Sequence, residues 1–489
     1  MEKPSGPHGP ATASAPPSLY AAHKKIHPKA VSGYYRRVKW IALVVLLAIY
    51  YVLPWIRWDR GPGVPDQAVL FDLENQRFYM FAIELWPQQI YYFTGALILG
   101  AVGLFLATAL AGRVWCGYAC PQTVWTDLFV LVEGWIEGDR GARIRLDSGR
   151  RTPAWFLKKT VKHAAWLLIG LATGGVAIFY FVDAPTLAVD LVRFEASSVA
   201  VWWIVFFMLS TYVMAGFMRE QMCFYVCPWP RLQAAMLDEE SLVVTYQDWR
   251  GEGRAPVHKK QDWEARKAGG LGDCIDCKAC VHVCPTGIDI RDGIQMECIS
   301  CGLCIDACND IMARIGRPGD LIRFDTQAAQ NAKAAARVPP SYRLVRPRTV
   351  VYTLILVIIA GLMTAGLVLN PAINVAVLRD RAPLFVTLTD GRLQNSYTVK
   401  ISNMTREERT YRLALSGIEG VTLVGVGTEE TPDRRDLELS AQPDQVATYR
   451  IHVRAPAAAL GAPSTKVTFV LTHQPDGAAF RTDTVFLAP

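Results

Sequence analysis

The chain has 489 residues, 51% of them hydrophobic and 19% charged, with a formal net charge of +7. That length is too great for one ordinary domain, the shortage of charge points to membrane segments, and the small, dispersed positive balance excludes a nucleic-acid partner. All twelve cysteines fall between Cys116 and Cys308. This suggests reduced thiols on one side of a membrane and a cysteine-free domain on the other.

In chain order, residues 1–33 are rich in Pro, Gly, Ala and Ser and read as a disordered tail. A basic stretch follows (Lys24, Lys25, Lys29, Arg36, Arg37, Lys39), then the apolar run 40–56. With no small-residue cleavage site after it, the run reads as a retained transmembrane helix, anchored at its outer end by Tyr50, Tyr51, Trp55 and Trp58. Four more apolar runs, 90–112, 160–182, 199–218 and 349–369, approach the roughly 20 residues that span a bilayer. Lys/Arg-rich segments precede helix 1 and join helices 2 and 3, whereas 57–89 and 183–198 are acidic on balance. The positive-inside rule then places the N-terminus in the cytoplasm and the C-terminus outside.

The expected organisation is therefore membrane helices 1–4 within 34–218, a cytoplasmic segment 219–348, helix 5 at 349–371 and an outer domain 372–489. Basic flanks of the cytoplasmic segment (Arg250, Arg254, Lys259, Lys260, Arg343, Arg346, Arg348) could rest on anionic lipid or form a solvated face. From Ala372 the pattern changes to short alternating strands: 384–389, 397–402, 411–416, 421–426, 447–453, 466–472 and 484–488. Asp390-Gly391 is a hairpin signal among them. Seven such strands predict an immunoglobulin-like β-sandwich with a docking or structural role, in which His452 and His473 are the soft-metal candidates.

The chemistry concentrates in 274–308. Cys274, Cys277, Cys280 and Cys284 form one C-x-x-C-x-x-C-x-x-x-C run, closed by Pro285; Cys298, Cys301, Cys304 and Cys308 form another. In this bacterial ferredoxin spacing the fourth cysteine ligates the other cluster. Cys274, Cys277, Cys280 and Cys308 would hold one [4Fe–4S] cluster, and Cys298, Cys301, Cys304 and Cys284 the second. A zinc site or disulfides are the rival readings, but two copies of one register favour clusters.

A second set lies at the ends of helices 2 and 4. RVWCGYACP (113–121) and REQMCFYVCP (219–228) share the pattern C-x-x-x-C-P after an arginine, an internal repeat of a two-helix unit. Helical spacing would put Cys116 with Cys120, and Cys223 with Cys227, on one face each. If the repeats pack around a pseudo-two-fold axis, the four thiols converge. They could then hold a further Fe–S cluster or Cu(I), act as dithiol couples, or serve as buried structural cysteines. Met214, Met218 and Met222 at i, i+4, i+8 form either a thioether stripe for Cu(I) or core packing. Membrane haem would need paired histidines on facing helices; His163 alone lies in a helix, so no haem is expected. His282 reads as a residue that tunes or solvates a cluster.

Together, WCGYACP, MCFYVCPWPR, the eight ferredoxin cysteines, five membrane helices and a C-terminal β domain resemble the cytochrome c oxidase accessory protein family, CcoG, also called FixG or RdxA. The resemblance covers nearly the whole chain beyond the tail. It implies a bacterial inner-membrane protein with a cytoplasmic ferredoxin domain and a periplasmic C-terminal domain. It further implies reduction of Cu(II) to Cu(I) for cbb3-type oxidase biogenesis, with two [4Fe–4S] clusters on the ferredoxin cysteines. Cys116, Cys120, Cys223 and Cys227 would have a redox or metal role. The expected partners are membrane lipid, a cytoplasmic electron donor, copper ions, copper chaperones and oxidase subunits. Two alternatives stay open: an electron-transfer subunit serving the quinone pool, and a non-catalytic assembly scaffold.

Overall fold

The computed structural model describes residues 25–489 except 62, 259–261, 370–372, 406, 427–433, 444 and 475–476. Most of the expected tail, with Lys24, lies outside the described residues, as do Lys259, Lys260 and Ala372. Two compact units divide the chain, Met1–Met363 and Thr364–Pro489.

Among the described residues, five helices are long and apolar enough to cross a membrane: Tyr34–Trp55, Ile90–Ala111, Pro153–Phe179, Ser198–Val226 and Pro347–Leu369. The first begins six residues earlier than the apolar run because its basic residues have partners. Arg36 and Lys39 reach Asp127 at 3.0 and 3.5 Å. The exposed N–H groups of its first turn are capped from a distance, as Tyr35 and Arg36 donate to the Asp306 carboxylate at 3.2 and 2.8 Å. The third span likewise starts early, with Thr152 capping Trp155 N–H and Pro153 in the first turn. Its Lys159 and Lys162 pair with Glu137 at 2.8 and 3.0 Å.

Spans three and four meet along Gly170-x-x-x-Gly174. A Cβ on Gly174 would lie 2.5 Å from the Ile204 carbonyl oxygen, and one on Gly170 2.9 Å from that of Met208. Only small residues allow backbones this close. Of the expected interfacial aromatics, Tyr50 and Tyr51 instead turn inward to Thr173 of the third span, at 2.8 and 3.0 Å; Trp55 and Trp58 stay exposed.

Loops carry structure the sequence reading left blank. Residues 25–33, expected to be disordered, form an extended strap. Lys25 pairs with Asp147 at 2.7 Å, Ala30 N–H donates to Asp139 at 3.0 Å, and Lys29 N–H donates to the His282 carbonyl at 2.8 Å. The helices Pro121–Glu137 and Arg140–Ser148 follow the second span. Residues 57–89 hold a three-stranded antiparallel sheet, β1 (Val69–Asp72), β2 (Arg77–Met80) and β3 (Ile83–Leu85).

In the soluble segment, β4 (Val243–Tyr246) pairs antiparallel with β5 (Ile322–Asp325) and closes the cysteine loops at their base. The basic flanks fold onto acidic neighbours. Arg250 meets Asp273 at 2.7 Å, Arg254 meets Glu252 at 2.8 Å, and Arg346 meets Asp238 at 2.6 Å. These arginines therefore have acidic partners within the fold.

The second unit is a β-sandwich. One antiparallel sheet runs in the order β10 (Thr422–Gly425), β12 (Gln445–Ala455), β8 (Leu393–Asn403), β6 (Ile373–Arg379), with β7 (Val386–Thr387) also on β8. The other runs β11 (Asp436–Ala441), β9 (Arg409–Ser416), β13 (Ser464–His473), β14 (Ala479–Leu487). Alternate residues of both sheets, among them Tyr397, Val399, Ile401, Leu413, Phe469 and Phe486, form one fully buried core. Asp390-Gly391 makes the expected turn, with Gly391 at φ +79° and Thr387 opposite Leu393. β6 and β11 were not expected: β6 follows the last span so closely that its apolar residues merge with it, and β11 is short and follows charged residues. His452 bonds Ser396 at 2.8 Å, while His473 is buried against Tyr411.

Candidate iron–sulfur and thiol site

Each cysteine loop wraps inward because its backbone turns left-handed at matching places. Asp276 and Ser300 follow the first cysteine of each run by two residues and have φ 51° and 53°. Lys278 and Gly302 follow the second by one, at φ 55° and 74°. At that last position glycine removes the strain an L side chain meets there. A short helix leaves each loop, Ala279–Val283 and Leu303–Arg314, and each delivers its fourth cysteine to the other loop.

Two small hollows result. One is lined by Cys274, Cys277, Cys280 and Cys308, the other by Cys284, Cys298, Cys301 and Cys304, with Cys280 in the shared wall. Each hollow thus gathers three cysteines of one run and the fourth of the other. No group of three or more His, Cys, Asp or Glu among the described residues is tight enough for a single metal ion. Sulfurs set apart around a hollow instead suit a multi-iron cluster. The donor set fits such a group chemically as well. Burial pushes the Cys280, Cys301 and Cys308 thiols up to about 12 and raises those of Cys298 and Cys304. Thiols this reluctant to ionise need iron's positive charge to become thiolates. The buried Tyr246 hydroxyl lines the first hollow beside Cys274. Arg291 approaches Cys274 Sγ at 3.8 Å while braced by Asp276 and Asp289.

The C-x-x-x-C-P motifs are an internal repeat in geometry too, but not the one expected. Trp115–Ala119 and Met222–Val226 are each a single π-turn. Cys120 N–H donates to Trp115 O at 2.9 Å, and Cys227 N–H to Met222 O at 2.8 Å. Cys120 and Cys227 are then extended, with ψ 128° and 120°, because a proline follows each. The two cysteines of a pair therefore do not share an α-helical face. The wider π-turn places the first within a coil and the second at its exit. All four thiols lie within electrostatic reach of one another. Burial pushes Cys116 up to about 12, and Cys120, Cys223 and Cys227 add to the rise while Arg113 opposes it.

The first motif clasps the second ferredoxin loop. A Cβ on Gly117 would lie 2.7 Å from Ile299 O and 3.2 Å from Cys301 Cα. Tyr118 OH donates to Cys301 O at 2.9 Å. Arg113 donates to the Met296 carbonyl, to Cys298 O at 3.2 Å and to Pro230 O at 3.1 Å. Cys116 Sγ donates to Gln233 Oε1 at 3.0 Å. The arginine before each motif was a visible signal; the roles of Tyr118, Gln233 and Asp306 had none, since their partners are remote in sequence.

Around the second motif the chain is strained. Arg219, at φ 36° and ψ −112°, separates two π-turns, Met214–Met218 and Met222–Val226. This corrects the expected methionine stripe: the helical register breaks between Met218 and Met222, so the even spacing from Met214 does not define one face. Met214 Sδ accepts from Ser210 Oγ at 3.7 Å. Arg219 is buried and held by Glu133 at 2.8 Å and Gly216 O at 2.9 Å. Glu133 also receives Arg143 at 3.0 Å and Lys162 at 3.7 Å. Burial opposes ionisation of Glu133, but Arg219, Lys162 and Arg143 outweigh it and hold the carboxyl at about 2. His163 is engaged by Tyr212 OH at 3.0 Å, and the His282 backbone carbonyl anchors the strap.

Comparison with known proteins agrees with this division. A family described as 4Fe-4S dicluster domain matches residues 218–327, and one described as 4Fe-4S binding domain matches 93–141, which holds the first C-x-x-x-C-P motif. The IG-like fold at the C-terminal of FixG matches 363–489. Nitrogen fixation protein FixG of Rhizobium meliloti is 47% identical over 464 residues, covering 90% of this chain and 88% of that protein. Protein RdxA of Cereibacter sphaeroides is 51% identical over 407 residues, covering 82% of this chain and 84% of that one. Among solved structures, a FixG-related protein from Vibrio parahaemolyticus is 21% identical over 24% of this chain and 96% of its own, with a TM-score of 0.21. With two relatives near half identity along most of its length, the chain belongs to the FixG/RdxA family.

Proposed function

We propose that this membrane iron–sulfur protein is an oxidoreductase that reduces Cu(II) to Cu(I) for assembly of a cbb3-type cytochrome c oxidase. The observation that carries the reading is the contact of Gly117 and Tyr118 with the Cys298–Cys304 loop, which seats one thiol motif directly on a cluster-binding loop. In this reading Cys274, Cys277, Cys280 and Cys308 ligate one [4Fe–4S] cluster and Cys298, Cys301, Cys304 and Cys284 the other. When bound, such clusters store and pass single electrons.

The chain's own residues do the rest. Arg113 and Tyr118 fix the distance between loop and thiol motif. Cys116, Cys120, Cys223 and Cys227 hold copper as substrate, and each Cu(II) takes one electron to become Cu(I). Soft thiolates bind the reduced ion better, which draws the reaction forward. The ferredoxin segment faces the cytoplasm and an electron donor there, and the β-sandwich faces the periplasm, copper chaperones and oxidase subunits.

The test uses detergent-purified protein, reduced anaerobically and given Cu(II) with a Cu(I)-specific chelator. Iron–sulfur absorbance, bleached by the reduction, should recover to that of the oxidised form as Cu(I) appears. Cys116→Ser, Cys120→Ser, Cys223→Ser and Cys227→Ser should keep that absorbance yet form Cu(I) at least tenfold more slowly. Undiminished Cu(I) formation in all four variants would sink the reading.

A further inference from the structure

Beside the thiol motifs lies a cavity of about 380 Å³ that none of the roles above uses. Its position is the first clue. Thr286 and Ile299 line both this cavity and the hollow of Cys284, Cys298, Cys301 and Cys304, so one layer of side chains separates the two spaces. Cys223 lines it as well, and Trp40 brings in a wall from the first membrane span.

Its charge is the second clue. Most of the cations that line it are already matched: Arg36 and Lys39 with Asp127, and Arg143 and Arg219 with Glu133 behind the wall, while the exposed Lys29 and the carboxylates Asp139 and Glu220 complete its ionic lining. A phosphate headgroup seated on the arginines would have to break these pairs and would meet the carboxylates of Asp127, Asp139 and Glu220. A neutral molecule leaves them intact. Val130, Leu131 and Leu303 supply apolar surface, while Thr126 and Lys39 bring hydrogen-bond donors. The volume lies in the range, roughly 300–1,000 Å³, of small-molecule sites.

We infer that this cavity binds a quinone-class ligand, a neutral amphiphile whose ring carbonyls meet those donors and whose tail leaves along the membrane span. The choice of an electron carrier rests on the iron–sulfur reading of the neighbouring loop; the choice of a neutral amphiphile rests on the cavity alone.

The experiment is photolabelling of the full-length, detergent-purified protein, with its native iron content, by a short-tailed azido-ubiquinone, followed by peptide mapping. The expected label falls within 122–135 or 283–303 and is displaced by a tenfold excess of decylubiquinone but not by phosphatidylglycerol. Leu131→Trp, which fills the cavity, should lower labelling at least tenfold with iron–sulfur absorbance unchanged. Label elsewhere, label that decylubiquinone does not displace, or displacement by phosphatidylglycerol overturns the inference. Should Leu131→Trp fail to fold, the competition in the unaltered protein decides. Copper reduction is read separately, so either proposal can fail while the other stands.

Discussion

Glu133 sits where Arg219, Arg143 and Lys162 meet, and it is 2% exposed. Its carboxyl is held at about 2 against an ordinary 4.5. A depressed folded value means stability that is full above pH 4.5 and is lost as pH falls from 4.5 toward 2, about 3 kcal/mol in all. At neutral pH, Glu133→Gln leaves the buried Arg219 and Arg143 without their carboxylate, while Lys162 keeps Glu137, and should cost about 3–5 kcal/mol. Thermal unfolding of the detergent-solubilised protein between pH 7 and 3 checks this, since the variant should lose stability at pH 7 and be less acid-sensitive below 4.5. Equal acid sensitivity in both would remove Glu133 from the account. Cys116 gives a second test at this scale. With its thiol pushed up to about 12 from 9.0, it carries about a thousandfold less thiolate at pH 8. Iodoacetamide should label it that much more slowly than an ordinary exposed cysteine in protein stripped of metal; comparable rates would mean that the buried turn opens freely.

At the scale of elements, close approaches hold the membrane half together. Gly170 and Gly174 let spans three and four touch backbone to backbone. Gly174→Ile must push Ile204 away, because its Cβ would start 2.5 Å from a carbonyl oxygen that cannot move independently. The variant should lower the thermal midpoint by several degrees and loosen the turn carrying Cys223; an unchanged midpoint would show that the spans separate without penalty. The two π-turns belong to this scale too. The repeated C-x-x-x-C-P was legible, and so was the extended residue before each proline, a local steric effect. The π-turns were not, since widening a helix by one residue follows from contacts such as Gly117 on Ile299 and Arg219 on Glu133.

For the whole molecule, the β-sandwich has its own core, with Tyr397, Tyr411, Leu413, Phe469 and Phe486 fully buried. Residues 373–489 expressed alone should therefore fold cooperatively, with a β-type circular dichroism spectrum and a single unfolding transition. A random-coil spectrum would show that the unit depends on the rest of the chain.

Patterns confined to neighbouring residues were sufficient for much of this. The cysteine spacing determined which sulfurs gather in each hollow, because a seven-residue loop can bring only its own three inward. Apolar runs determined five spans, and period-two alternation most of the sandwich. Tertiary structure decided what depends on remote partners. Asp306, whose sequence neighbours give no sign of its role, caps the first span across 270 residues of chain. Lys39 and Arg219 are buried ties to Asp127 and Glu133, and Arg250 is a half-buried one to Asp273. The strap at 25–33 is ordered by bonds to Asp139, Asp147 and the His282 carbonyl, not by any propensity of its own. A charge's sequence neighbours do not reveal its partner, so whether it faces solvent or closes a buried network is settled only when the chain is folded.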